Sequence, residues 1–224
     1  MNSAMPRRLL RGTAGVAFHV MNRGVRRATL FWSPPDYAAF IRVMIEAAER
    51  VAMRLLGFAL MPNHVHLVLW PYDDTGLTRY VGWLSLTHAC RWHRAHGTLG
   101  TGPVYQGRFK AIPIQTSEHL LTVCRYVERN PVRARLVDRA RDWPWSSASE
   151  HPGAPSPSLQ EWPVPRPPDW DDFIDRPEPS TDLDCLRRCV GRSAPFGDEA
   201  WRTATVDRLQ WSTGLRPVGR PRQR

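Results

Sequence analysis

Apolar and polar positions along the chain change period several times, and the changes predict alternating strands and helices. Ala14 to Met21 is an apolar stretch that reads as a first strand. Ser33-Pro34-Pro35-Asp36 is a helix start, with Ser33 as cap, proline in the first turn and Asp36 closing a capping box. Tyr37, Phe40, Ile41, Met44, Ile45, Ala48 and Val51 then recur at helical spacing. Arg54 to Met61 is mostly apolar, Pro62-Asn63 suits a two-residue turn, and Val65, Leu67 and Leu69 alternate with His64, His66 and Val68, which predicts a β-hairpin. A second helix is expected from about Leu77 to Ala95, with Leu77, Tyr80, Val81, Leu84 and His88 as its inner stripe. After a glycine-bearing loop, Arg108 to Gln115 reads as a strand, and Thr116 or Ser117 caps a third helix running to about Asn130. The order strand, helix, hairpin, helix, strand, helix implies an α+β fold with helices layered on an antiparallel sheet.

Prolines are dense from His151 to Pro179, which marks a linker or extended arm and puts a boundary near residue 150. The expected organisation is a basic leader over 1–12, a compact domain over 13–150, a proline-rich linker over 151–180 and a basic extension over 181–224. Within the extension, Asp182 to Val190 suggests a short helix, and Asp198 caps another with Trp201, Thr205 and Leu209 along one side.

Charge narrows the partner. The 224 residues carry a formal net charge of +10, which points to a polyanion, nucleic acid before an anionic membrane surface. No apolar run reaches the length of a membrane span and the N-terminus lacks a signal-peptide core, so a soluble cytoplasmic protein is expected. The basic residues are arginines apart from Lys110. Cys90, Cys124, Cys185 and Cys189 form no Cys-x-x-Cys pair, which argues against a structural zinc site or a disulfide framework.

Successive strand residues point to opposite faces, so His64 and His66 present two imidazoles to one side. On spacing alone the pair is either half of a metal site or two histidines on a solvated face. On the third helix, Leu120, Cys124 and Val127 define a core face, and Tyr126 and Asn130 form an i, i+4 pair on its flank. A hydroxyl and an amide placed there could meet a metal held by the histidines. The same residues also read as a buried aromatic and a helix end before Pro131. Arg125 and Arg129 fall away from the core face, free to hold phosphates or to stay in water.

Five segments then occur in order: Phe18-His-Val-Met-Asn-Arg-Gly24, Met61-Pro-Asn-His-Val-His-Leu67, Tyr105-Gln-Gly-Arg-Phe-Lys110, Tyr126-Val-Glu-Arg-Asn-Pro-Val-Arg-Ala134 and Asp142-Trp-Pro-Trp-Ser-Ser147. Together they resemble the HUH single-strand DNA transposases that use one catalytic tyrosine. The nearest branch is the REP-associated tyrosine transposases, which Pro195-Phe-Gly-Asp-Glu-Ala-Trp201 and Gly219-Arg-Pro-Arg222 also resemble. The resemblance implies a ferredoxin-like or RRM-like fold. It carries the two histidine ligands onto His64 and His66, the nucleophile onto Tyr126 and the third metal-binding side chain onto Asn130, where related transposases often have glutamine. The implied cofactor is Mg²⁺ or Mn²⁺, and the implied partner is single-stranded DNA flanking a hairpin of a repetitive palindrome. The implied reaction is nicking and strand transfer through a 5′-phosphotyrosine, by a monomer or a homodimer. An ordinary phenol has a pKa of about 10, so a cation and a base beside it are needed at neutral pH.

Arg108, Lys110, Arg125 and Arg129 are expected phosphate contacts. Arg220 and Arg222 lie in a tail segment similar to the core of minor-groove AT-hooks, which reads equally as a solvated tail. Other His-x-His chemistries fit less well. An amidohydrolase barrel needs about 250 residues, and a cupin-like carboxylate is missing because no glutamate occurs between His66 and Glu118. The remaining rival is a DNA-hairpin-binding regulator on the same fold that has lost turnover.

Overall fold

A computed structural model describes residues 12–151 and 156–211. Strand β1 (Ala17–Arg23), helix α1 (Pro34–Arg50), the hairpin β2 (Met53–Met61) and β3 (His64–Pro71), helix α2 (Gly76–Ala95) and strand β4 (Lys110–Ile114) form the expected α+β unit. The sheet order is β2-β3-β1-β4 and every neighbouring pair is antiparallel, which is the ferredoxin-like arrangement. After it come α3 (Glu118–Glu128), α4 (Asn130–Arg133), α5 (Trp170–Asp175), α6 (Ser180–Arg192) and α7 (Glu199–Leu209).

Strand ends differ from the hydrophobic pattern because pairing sets them. β1 runs on to Arg23 because β3 pairs with it as far as Arg23↔His64, and β4 starts at Lys110, opposite Met21. Helix α1 begins as expected: the Asp36 carboxylate accepts from the backbone N–H groups of Trp32 at 2.9 Å and Ser33 at 3.0 Å. Its buried face includes Val43 and Ala47, whereas Ala48 is exposed and Ile45 only partly buried.

The sheet is covered on both faces. Phe18 and Val20 of β1, Phe58 and Leu60 of β2, and Val65, Leu67 and Leu69 of β3 pack against α1 and α2. Ala17, Ala59, Val68, Ile112 and Ile114 meet Leu120, Val123, Cys124 and Val127 of α3. Each fully buried large aliphatic or aromatic side chain contributes about 1.5–3 kcal/mol. A bulge between Leu55 and Gly57 resets the alternation of β2, so that Leu56 and Ala59 both face α3.

The segment expected as a linker is packed onto the domain. Trp162 Nε1 donates to Leu56 O at 2.8 Å, Gln160 N donates to Leu55 O at 2.9 Å, and Trp170 is buried among α3 residues. The prolines keep this stretch extended, and the tryptophans between them supply the apolar area that holds it down. Two of the recognised segments close the sheet edges. Leu60 N donates to Trp145 O and Ser147 N to Phe58 O on the β2 side, and Phe196 N donates to Pro113 O on the β4 side. Edges so covered do not offer a template for another chain. Asp198 caps α7 by accepting from Trp201 N at 2.8 Å, with Thr205 and Leu209 buried as expected. No helix of the described residues is long and apolar enough to cross a membrane.

Candidate active site

The alternation of β3 puts His64 and His66 on the α3 face, with their ring centroids 4.9 Å apart. β1 adds a third imidazole to the same face. His19 is fully buried and its Nε2 lies 2.8 Å from His66 Nδ1, with the two rings stacked at 5.0 Å. The turn before His64 is held in place by the loop after β1: Gly24 N donates to Asn63 O, and Leu30 N and Phe31 N donate to Pro62 O. Gly24 is required there, because a Cβ would lie 2.3 Å from Ala28 O. Within the turn, Asn63 Oδ1 lies 2.6 Å from His64 Nδ1, and Asn63 Nδ2 donates to Arg27 O at 3.2 Å.

Burial keeps all three imidazoles neutral. It lowers His64 from 6.5 to about 4, helped by Arg23 and Arg133, and lowers His19 to about 3. His66 is pushed well below 6.5, by burial first and then by His19 and His64. Neutral rings carry the free lone pair that a metal ion needs.

Tyr126, near the end of α3, lies edge-on to the histidines, its ring centroid 5.9 Å from His66 and 5.8 Å from His19. Among the described residues its hydroxyl has no hydrogen-bond partner. Arg133 Cζ sits 4.0 Å from the centre of the Tyr126 ring, and its Nη2 donates to Tyr126 O at 2.8 Å. Glu178 holds the other side of that guanidinium at 2.9 Å. Asn130 opens α4 rather than continuing α3, because Pro131 removes the N–H that would extend the helix. Its Nδ2 is buried without a partner. No group of three His, Cys, Asp or Glu residues capable of holding a metal occurs among the described residues. Two neutral imidazoles and an amide oxygen fit a divalent cation that keeps open positions for phosphate.

A cavity of about 490 Å³ opens over His64 and His66, lined by Arg23, Arg27, Arg108 and Lys110. Arg108 and Lys110 are exposed there. Arg125 and Arg129 are not free. Arg125 is buried, donates to Arg176 O at 2.8 Å and stacks 4.1 Å above Phe173; Arg129 pairs with Glu178 at 3.4 Å. The packing of residues 170–178 on α3 takes up both guanidiniums, which the helical wheel alone left facing outward. Arg220 and Arg222 lie outside the described residues.

Sequence reasoning missed His19, Asn63, Arg133 and the pair Arg23 and Arg27. His19 had a usable signal, a lone histidine at an inward position of an apolar strand. Arg133 had one too, two helical turns after Tyr126. The roles of Asn63 and Arg27 depend on contacts between β3 and the loop after β1, which no local pattern encodes.

The family described as "Transposase IS200 like" matches residues 13–130, just over half of the chain. A Haemophilus influenzae protein carrying the name of a REP-associated tyrosine transposase is 24% identical over 110 residues, which is 46% of this chain. The chain spans 62% of that relative's length. Among solved structures, a REP-associated tyrosine transposase bound to a REP hairpin is 20% identical, with a TM-score of 0.49 over 65% of this chain and 82% of the other. A Deinococcus radiodurans R1 protein described as a transposase is 19% identical, with a TM-score of 0.40 over 55% of this chain and 96% of the other.

Proposed function

The chain belongs to the IS200-like transposase family, and from that membership we propose that it nicks and rejoins single-stranded DNA beside a hairpin, through a covalent bond to Tyr126. The observation that carries this reading is the meeting of His66 and the Tyr126 ring, 5.9 Å apart edge to face, beside a basic cavity that His64 and His66 line.

His64, His66 and Asn130 would hold Mg²⁺ or Mn²⁺, which when bound supplies Lewis-acid polarisation of a phosphoryl oxygen. Arg108 and Lys110, with Arg23 and Arg27, orient the phosphodiester in the cavity. Arg133 fixes the Tyr126 ring from its face. Tyr126 Oη gives its proton to solvent and forms a bond to phosphorus. The bond from phosphorus to the 3′ oxygen breaks, and that oxygen takes up a proton to become a 3′-hydroxyl. The phosphotyrosine keeps the energy of a phosphodiester, so attack by a 3′-hydroxyl reverses the step and joins strands without a nucleotide cofactor.

The test is incubation of the protein with labelled hairpin oligonucleotides bearing single-stranded flanks, with Mg²⁺ or Mn²⁺, followed by a denaturing gel. A covalent adduct that disappears in Tyr126→Phe supports the proposal. Tight hairpin binding with no adduct contradicts it in favour of a binding protein.

A further inference from the structure

We propose that Asn63 and His19 are positioning residues: Asn63 Oδ1 and His19 Nε2 each accept the Nδ1–H of a neighbouring site histidine, leaving Nε2 of His64 and His66 for one divalent cation. The inference rests on the reading of the histidine pair as a metal centre.

A neutral imidazole carries one N–H, and only its other nitrogen can bind a cation. For His64 the choice is made by Asn63. The Asn63 amide commits its Nδ2 to Arg27 O at 3.2 Å, which turns Oδ1 to within 2.6 Å of His64 Nδ1. An amide oxygen only accepts, so the His64 proton sits on Nδ1 and Nε2 is bare. The anchor for this amide is itself unusual: Arg26 and Arg27 have φ of 52° and 63°, a left-handed turn that arginine seldom adopts. That turn is tied down by Val25 N donating to Val104 O and by Arg27 N donating to Gly24 O.

For His66 the partner is another ring. His19 Nε2 and His66 Nδ1 are 2.8 Å apart and share one proton between them. If His19 donates it, His66 carries its own proton on Nε2 and is closed to a cation. If His66 donates it, Nε2 is open and the His19 proton moves to Nδ1, a buried atom with no partner among the described residues. A cation at His66 Nε2 selects the second arrangement, and His19 is the acceptor that makes it available. Partners of this kind orient metal-binding histidines and raise their basicity.

The experiment measures tautomers and metal affinity rather than activity. Long-range ¹H–¹⁵N spectra of the full chain are expected to show His64 protonated at Nδ1 without metal, and both His64 and His66 protonated at Nδ1 with saturating Mg²⁺. Mn²⁺ titration followed by electron paramagnetic resonance is expected to show affinity about 10–100-fold weaker in Asn63→Leu and His19→Leu. Asn63→Asp and His19→Gln, which keep an oxygen facing the site histidine, retain most of the wild-type affinity. Leucine variants that fold and bind Mn²⁺ like the wild type overturn the assignment. So does a His64 proton on Nε2 in the metal-free wild type, a result that needs no variant to fold. Wild-type protein that shows the predicted His64 tautomer yet takes up no Mn²⁺ overturns the metal-centre reading and, with it, the purpose assigned to Asn63 and His19.

Discussion

Glu128 links α3, the helix of the proposed nucleophile, to the segment expected as a linker, and its removal has a calculable consequence. The side chain is 1% exposed; Ser147 Oγ donates to one carboxylate oxygen at 2.6 Å and Trp170 Nε1 to the other at 2.7 Å. Gly57 leaves the space for this arrangement, since a Cβ there would lie 3.3 Å from Ser147 Oγ. In Glu128→Ala the Ser147 hydroxyl can turn to Phe58 O, already 3.2 Å away, but the Trp170 N–H is buried with no acceptor. An unpaired buried donor costs about 1–3 kcal/mol. With the lost packing added, the variant is expected to be about 2–4 kcal/mol less stable, which is about 4–16 °C in Tm for a chain of this size.

Glu128→Gln separates hydrogen bonding from charge. Burial pushes the Glu128 carboxyl above 4.5, opposed by the Ser147 and Trp170 hydrogen bonds. A folded-state value raised above the unfolded one means stability present below pH 4.5 and partly lost as pH rises through the raised value. Glutamine keeps an acceptor for Trp170 without that loss, so Glu128→Gln should gain on the wild type from acid to neutral pH. Urea and thermal unfolding across pH read both effects. Glu128→Ala unfolding within about 0.5 kcal/mol of the wild type would refute the linkage, as would Glu128→Gln being as damaging as alanine.

Arg133→Leu, which strips the guanidinium from the Tyr126 ring, is expected to slow adduct formation about tenfold, and Arg133→Lys to restore only part because it cannot stack and fork at once; gel time courses check this. The double change Arg108→Gln, Lys110→Gln should weaken binding of single-stranded flanks and reduce the slope of log affinity against log salt by about 1.4, from about 0.7 per lost contact. Arg125→Gln should leave that slope unchanged and lower Tm instead, because its partners are Arg176 O and Phe173. His88 is held at about 4, by burial first, and its Nδ1 lies 2.7 Å from Tyr105 Oη. Its folded value lies below 6.5, so the wild type loses stability as pH falls from 6.5 toward 4. His88→Asn should flatten that loss by up to about 1.4 kcal/mol per pH unit in urea melts.

The domain was legible in the sequence wherever a residue's neighbours along the chain settle its environment. The stripe Leu77, Tyr80, Val81, Leu84 and His88 is buried as spaced, the capping box at Ser33 and Asp36 forms, and the alternation of β3 puts His64 and His66 on one face. What could not be read depends on long-range packing. Proline density concealed Trp162 and Trp170, which pin residues 156–178 to β2 and α3 and so remove Arg125 and Arg129 from solvent. His19 was unremarkable in β1 until β3 paired beside it, and Asn63 was only a turn residue until Arg27 O met its amide.

The most direct test of the central claim is to digest the DNA-linked protein with trypsin and nuclease and locate the attached nucleotide by mass spectrometry. A phosphate-linked nucleotide on Tyr126, formed only with a divalent cation, is the predicted result. A nucleotide on Tyr37, Tyr72, Tyr80 or Tyr105, or an adduct formed equally in a chelator, would contradict it.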